Sequence, residues 1–215
     1  FTDCTLPSLT LAGADDQKLN GTLHVQDLTF ENTAGRVSVG ADVSVSGTLK
    51  NKNTALHSGQ KVKLLAGGKI DGSVYHGALT LDGVSIPQSI RFDGDLYTTE
   101  NECAFSSALR VNGSLRVGGP VRYDKDVTVQ GSWQTTASGL TQTFASGASM
   151  TVGQDVNLQK ATLSGLRTLR CGGDWTAPEL TAEHLSLTLD GAVPQSICSE
   201  TALQDLLIEN TGKTG

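Results

Sequence analysis

The residues best suited to chemistry in this chain are paired carboxylates. Asp15-Asp16, Asp93 with Asp95, and Asp124 with Asp126 are pairs of the kind that serve as acid and base at a glycosidic bond. Structure accounts for two of the three. Asp126 occupies a turn position shared with Asp42, Asp155 and Asp174, and Asp15-Asp16 fills a repeat position taken elsewhere by Ser-Ile-Pro or Ala-Val-Pro. Asp at such places bonds its own turn. The tract Asp93-Gly94-Asp95-Leu96-Tyr97-Thr98-Thr99-Glu100-Asn101-Glu102 is different, because it interrupts the repeat and is locally acidic. Its candidate binding residues are Asp93, Asp95, Tyr97, Glu100, Asn101 and Glu102. Such oxygens suit calcium, and a sugar ring can stack on Tyr97. A loop projecting from a rigid scaffold is where binding side chains concentrate. The tract lacks the spacing of a complete calcium loop, so a solvated insertion is the competing reading.

Other reactive groups are scattered. His24, His57, His76 and His184 form no HxH or HExxH, and the cysteines (Cys4, Cys103, Cys171, Cys198) form no CxxC, which argues against a zinc site. Free thiols and one or two disulfides both remain open; Cys171 with Cys198 is the pair that sequence separation favours. There is no G-x-S-x-G elbow or dinucleotide fingerprint, and Leu207 stands where a phosphate loop ending at Lys213-Thr214 needs its first glycine. Arg91, Arg110, Arg116, Arg122, Arg167 and Arg170 are spread along the chain, which leaves a basic groove of the lyase kind open. Asn20-Gly21-Thr22 and Asn112-Gly113-Ser114 are glycosylation sequons that also read as turns.

The 215 residues carry a net charge of −6, so no electrostatic feature favours nucleic acid or an anionic membrane. No apolar run reaches the ~18 residues of a membrane span. Aromatic residues are 5% and charged residues 18%, while glycine numbers 25, a composition of scaffold more than of cofactor cavity.

The elements that must position these residues are short strands. Val37-Ser38-Val39-Gly40-Ala41-Asp42-Val43-Ser44-Val45 and Met150-Thr151-Val152-Gly153-Gln154-Asp155-Val156-Asn157-Leu158 match position for position. Val45-Ser46-Gly47-Thr48-Leu49, Val111-Asn112-Gly113-Ser114-Leu115 and Val129-Gln130-Gly131-Ser132-Trp133 form a second unit. Alternation turns the aliphatic residues, Trp133 and Trp175 inward and the hydroxyls outward, with glycine expected in left-handed turns. Three-residue strands separated by bends predict a parallel β-solenoid of nine or ten coils. Asp71-Gly72, Asp82-Gly83, Asp93-Gly94 and Asp190-Gly191 keep an antiparallel sandwich as the alternative. Thr10, Thr80 and Thr188 recur, but no Thr-x-Thr ladder is visible through successive coils.

A longer pattern, L-x-L-x-G, then Q, then L-x-(I/F/V)-x-N, begins at Leu9, Leu79 and Leu187. Gln17 to Asn32 and Gln195 to Asn210 are each fifteen positions apart, whereas Gln88 to Asn112 is nine longer. The expectation is a single solenoid domain over residues 1–215 with an irregular insertion near 93–104. The chain begins Phe1-Thr2-Asp3-Cys4 and stops at Lys213-Thr214-Gly215 within a repeat, which reads as a fragment of a longer repeat protein with exposed coil edges at both ends.

This repeat style resembles bacterial surface proteins of the filamentous-haemagglutinin and autotransporter-adhesin type. The resemblance implies an all-β, right-handed parallel β-helix that is extracellular or on the cell surface. It also implies a non-catalytic rod or stalk, joined to further modules of the same chain and presenting weak multivalent contacts to a glycan or cell-surface ligand. Composition and charge point to no cofactor, calcium at the acidic tract being the one candidate, and to no nucleic acid or membrane insertion. A polysaccharide lyase or hydrolase built on a β-helix is the alternative.

Overall fold

A computed structural model describes residues 3–40, 42–52, 54, 56–57 and 61–212. The described residues contain strands and turns and no helix, and every strand pair is parallel. Parallel pairing excludes the antiparallel sandwich. The chain winds through about ten turns of a β-solenoid. At ~4.8 Å per turn this is a rod near ~48 Å long.

Each turn passes three faces, here A, B and C. Face A is the unbroken column that starts with the first halves of Cys4–Gly13 and Thr22–Asn32. It continues through Asp42–Val45, Val62–Leu65, Leu79–Asp82, Leu96–Thr98, Leu115–Val117 and Trp133–Thr135, and ends with Val156–Asn157, Trp175–Ala177 and Ile197–Ser199. Faces B and C are less regular. No ladder joins Lys69–Asp71 to Ser85–Ile86 on face B, or Leu56–His57 to Val74–Tyr75 on face C, among the described residues. Buried Asn51 bridges the second gap: its amide donates to the carbonyls of Thr54 (3.1 Å) and His76 (2.9 Å), and its oxygen accepts the Thr54 N–H (2.8 Å).

The interior is the aliphatic ladder that alternation predicts. Val37, Val39, Val43, Val45, Leu49, Val127, Val129, Met150, Val152, Val156 and Leu158 all lie in one core with Trp133 and Trp175. Each such side chain contributes about 1.5–3 kcal/mol on leaving water. Tyr123 stacks between Phe105 and Phe144, with ring centroids 5.7 and 4.8 Å apart. In the last described turn Val193, Ile197, Leu206, Leu207 and Ile208 are exposed.

The corners work differently from expectation. Their aspartates do not bond their own turns; they accept the backbone N–H of the coil above. Asp155 accepts from Asp174 N (2.9 Å) and Asp174 from Ser196 N (2.7 Å). At the same corner Asp95 accepts from Ser114 N (2.8 Å) and the Ser114 hydroxyl from Ser132 N (3.2 Å). Asp126 does the same for Ser149 N (2.9 Å) and Asp27 for Thr48 N (2.6 Å). Asp42 differs from its sequence equivalents Asp126, Asp155 and Asp174 in accepting instead from Lys61 Nζ (2.7 Å). Nor do Gly40, Gly153 and Gly172 take left-handed angles. A Cβ on Gly153 or Gly172 would strike the carbonyl of the coil below, so close stacking is what requires glycine there.

Two further expectations are corrected. Residues 93–104 are no irregular insertion: Leu96–Thr98 is a rung of face A between Leu79–Asp82 and Leu115–Val117, and Cys103–Phe105 is a rung of face B. The apparent excess comes from comparing Leu79 with Leu109, when Leu79 stacks under Leu96 and Leu109 over Ile90. In the other two copies the aligned leucines are true register partners, Leu9 with Leu28 and Leu187 with Leu206. On face B Thr141 and Thr143 stack under Thr162 and Ser164, with Thr181 above Thr162, so Thr-x-Thr occurs in one coil and, as expected, does not repeat as a ladder in the next.

The Cys171–Cys198 disulfide is absent. All four cysteines are free; Cys171 is buried on face C with its thiol toward the Gln154 and Gly173 carbonyls, while Cys198 is exposed on face A. Burial pushes the Cys171 thiol up to about 11 and raises Cys103 as well. Thiolate is the reactive form. In a thiol-exchange titration of the native protein at about pH 8, Cys198 is expected to react first, and Cys103 and Cys171 only after denaturant is added. Prompt modification of either buried thiol would contradict this packing. For the corners, Asp155→Ala should cost about 1 kcal/mol by orphaning an amide. Gly94→Ala, whose Cβ would run into the Gly77 backbone, should cost about 1–3 kcal/mol through overpacking. Denaturant midpoints decide both; a neutral Gly94→Ala would refute the close-approach argument.

Candidate functional site

Alternation along Leu96–Thr98 turns Leu96 and Thr98 into the core and Tyr97 out onto face A. In-register stacking then places Tyr97 in an outward column that runs Lys63, Thr80, Tyr97, Arg116, Gln134. Two positions further along, Thr99 and Thr136 flank Gly118 on successive coils. An open depression of about 380 Å³ lies beside this corner, lined by Lys63, Thr80, Tyr97, Thr98, Thr99, Arg116 and Thr136. The other depressions described include some larger ones, but none of them brings an aromatic ring and a cation together.

The walls are held by polar contacts. Arg116 Nη1 donates to the Tyr97 hydroxyl (3.0 Å), and the guanidinium carbon lies 5.3 Å from the Tyr97 ring centroid, a cation–π distance. The Tyr97 hydroxyl in turn donates to Asp95 Oδ2 (3.1 Å), which is 4.0 Å from Arg116 Nη1. On the opposite flank Asp82 Oδ1 accepts from the Thr99 hydroxyl (2.6 Å) and the Asn101 amide (2.7 Å), and Lys63 Nζ is 3.7 Å from Asp82 Oδ2. Hydrogen bonds from Thr99 and Asn101, with the Lys63 charge behind them, lower the Asp82 carboxyl below its ordinary range.

Of the six candidate binding residues, the structure brings only part together. Tyr97 lines the depression, while Asp95 and Asn101 brace it. Asp93 belongs to a neighbouring cluster, accepting from Arg91 Nε (2.7 Å) and Asn112 Nδ2 (2.8 Å) and facing His76 Nδ1 at 2.7 Å. Glu100 and Glu102 are exposed at the next corner. Among the described residues no three His, Cys, Asp or Glu side chains gather as a metal site. The acidic tract therefore supplies no assembled set of calcium ligands, because alternation and the corner bonds send its oxygens in different directions. Lys63, Asp82, Thr99, Gly118 and Thr136 escape a sequence reading. The signal that links them is the coil length, 17 residues from Lys63 to Thr80, 17 from Thr80 to Tyr97 and 19 from Tyr97 to Arg116, which no local pattern displays.

The fold and this surface define a β-solenoid with a built depression on one face. No family model, curated protein or solved structure matches the chain.

Asp82 makes a pH-dependent contribution. Its folded pKa is depressed, so its stabilisation is complete above the ordinary carboxylate value of about 4 and is lost as the pH falls through the lower folded value. Asp82→Asn should flatten the acid limb of a stability-against-pH curve below about pH 4. An unchanged acid limb would show that these bonds do not favour the charged form.

Proposed function

We propose that the chain is a non-catalytic rod from an exported bacterial surface adhesin, presenting weak, repeated contacts to glycans or cell surfaces. The observation that carries this reading is the unbroken parallel column of face A, which extends the molecule and displays its outward residues in a line at ~4.8 Å intervals. A rod of this kind is a spacer whose separate weak contacts multiply when many copies are displayed together. The carboxylate pairs support a structural role over an enzymatic one. Asp16 accepts from Arg36 N (2.7 Å), Asp126 from Ser149 N, and Asp95 from Ser114 N, while Asp124 is 3.4 Å from Arg122 Nη1. Asp16, Asp95 and Asp126, used as struts between coils, are poorly placed to move protons on a substrate. No helix among the described residues is long and apolar enough to cross a membrane.

The test is adhesion of beads densely coated with the chain to a panel of animal and bacterial cells. Coated beads should be retained on the order of a hundredfold more than the soluble chain at matched concentration. Retention equal to albumin-coated beads would remove the adhesive reading. Release of unsaturated sugars or reducing ends from a polysaccharide panel would replace it with the enzymatic one.

A further inference from the structure

We propose that the depression beside Tyr97 is a subsite for one neutral hexopyranose unit of a polysaccharide, an inference that rests on the adhesin reading and names its ligand. Three features of the site select this chemistry. The first is charge balance. Lys63 faces Asp82 at 3.7 Å and Arg116 faces Asp95 at 4.0 Å, so two cations are matched by two carboxylates. A uronate or sulfated sugar would bring a further negative charge to a neutral site; a sugar bearing only hydroxyls brings none.

The second is the mixture of donors and acceptors. A sugar hydroxyl both donates and accepts, and the depression offers both functions within one small surface. Lys63 and Arg116 donate, while the Thr99 and Thr136 hydroxyls, whose protons go to Asp82 (2.6 Å) and the Val117 carbonyl (3.3 Å), accept. Thr99 and Thr136 stand two coils apart, ~9.6 Å, with Gly118 between them. Gly118 lets the coils close up here, since a Cβ on it would meet the Thr98 carbonyl at 2.6 Å and Thr136 Oγ1 at 3.2 Å, and both threonines line the depression beside it, within reach of one sugar's hydroxyls. The third is apolar surface. The Tyr97 ring and the methylene stem of Lys63 line the same depression and suit the C–H face of a pyranose. A few fixed polar groups around an aromatic wall is the usual composition of a small-ligand site.

The site is also prearranged. Tyr97 is held through its hydroxyl by Arg116 and Asp95, and Thr99 through Asp82, so binding orders few side chains and loses little entropy.

The experiment is a titration of the isotopically labelled full chain with cellohexaose, mannohexaose and a galactohexaose, with hexagalacturonate as the acidic comparison. At least one neutral hexasaccharide should shift the Thr99, Gly118 and Thr136 amide signals, with hexagalacturonate binding about tenfold more weakly. Tyr97→Ala, which removes the wall, and Thr136→Val, which removes an acceptor hydroxyl at unchanged volume, should each weaken binding about tenfold. Both side chains point outward, so the coil should persist, and should one variant fail to fold, the other decides. The proposal is overturned if no neutral hexasaccharide moves those signals at about 10 mM, if hexagalacturonate binds more tightly, or if a folded variant binds like the parent. The titration involves no cells, so its failure leaves bead adhesion untouched, and failed adhesion leaves the subsite standing.

Discussion

The structure depends on one constraint, the ~4.8 Å distance that backbone hydrogen bonds impose between successive parallel coils. Once that spacing is set, each residue has a neighbour of equivalent position above and below it, and any group that cannot tolerate such a neighbour is excluded. The corners show this most clearly. Where two coils turn together their backbones approach too closely for a Cβ, which explains Gly94, Gly113, Gly153 and Gly172. Where a turn leaves an amide without a strand partner, an Asp or Ser oxygen of the coil below accepts it. An unmet buried amide costs about 1–3 kcal/mol, so a corner without such an oxygen would weaken each adjoining turn.

The longer repeat has the same origin. In the first copy the Asn32 amide donates to the Asp15 carbonyl (2.8 Å) and to Gln17 Oε1 (3.3 Å). In the third, Asn210 donates to the Val193 carbonyl (2.6 Å) and Gln195 Oε1 (2.9 Å). The fifteen-residue spacing is thus one Gln–Asn bracket between adjacent coils, used twice. It does not mark a fixed face: Gln17 opens a strand of face C, whereas Gln195 precedes one of face A. The middle copy lacks the bracket, since Gln88 donates to the Ile70 carbonyl (2.9 Å) and Asn112 to Asp93. Coils vary from 17 residues (Leu79 to Leu96) to 23 (Trp133 to Val156), and the difference is taken up at corners, where each coil meets only its neighbours.

Function is read from columns, because stacking brings together residues that are remote in sequence. Face A carries the Tyr97 depression, face B a patch of Thr and Ser hydroxyls, and face C Arg170 paired with Asp190 and Glu209 across successive coils. Such ion pairs at an exposed surface contribute little to stability, about 0–1 kcal/mol each. Their effect is to keep the rod's flanks polar and evenly charged, so that an aromatic ring with matched cations and hydroxyl-lined space stands apart from its surroundings.

Alternation and corner composition by themselves determined the all-β class, the parallel winding, the inward-facing set from Val37 to Leu158 and the burial of both tryptophans, because the direction of a side chain on a strand is a local property. They also singled out Tyr97 and Asp95. They misplaced the 93–104 tract, the partners of the corner aspartates and the cysteine pair. Each of these depends on which residue of one coil lies over which residue of the next, and coils of unequal length hide that register from any fixed period. Only the tertiary structure decided that Lys63, Thr99, Arg116 and Thr136 share a surface with Tyr97, because stacking of unequal coils, and no local pattern, sets which of them are neighbours.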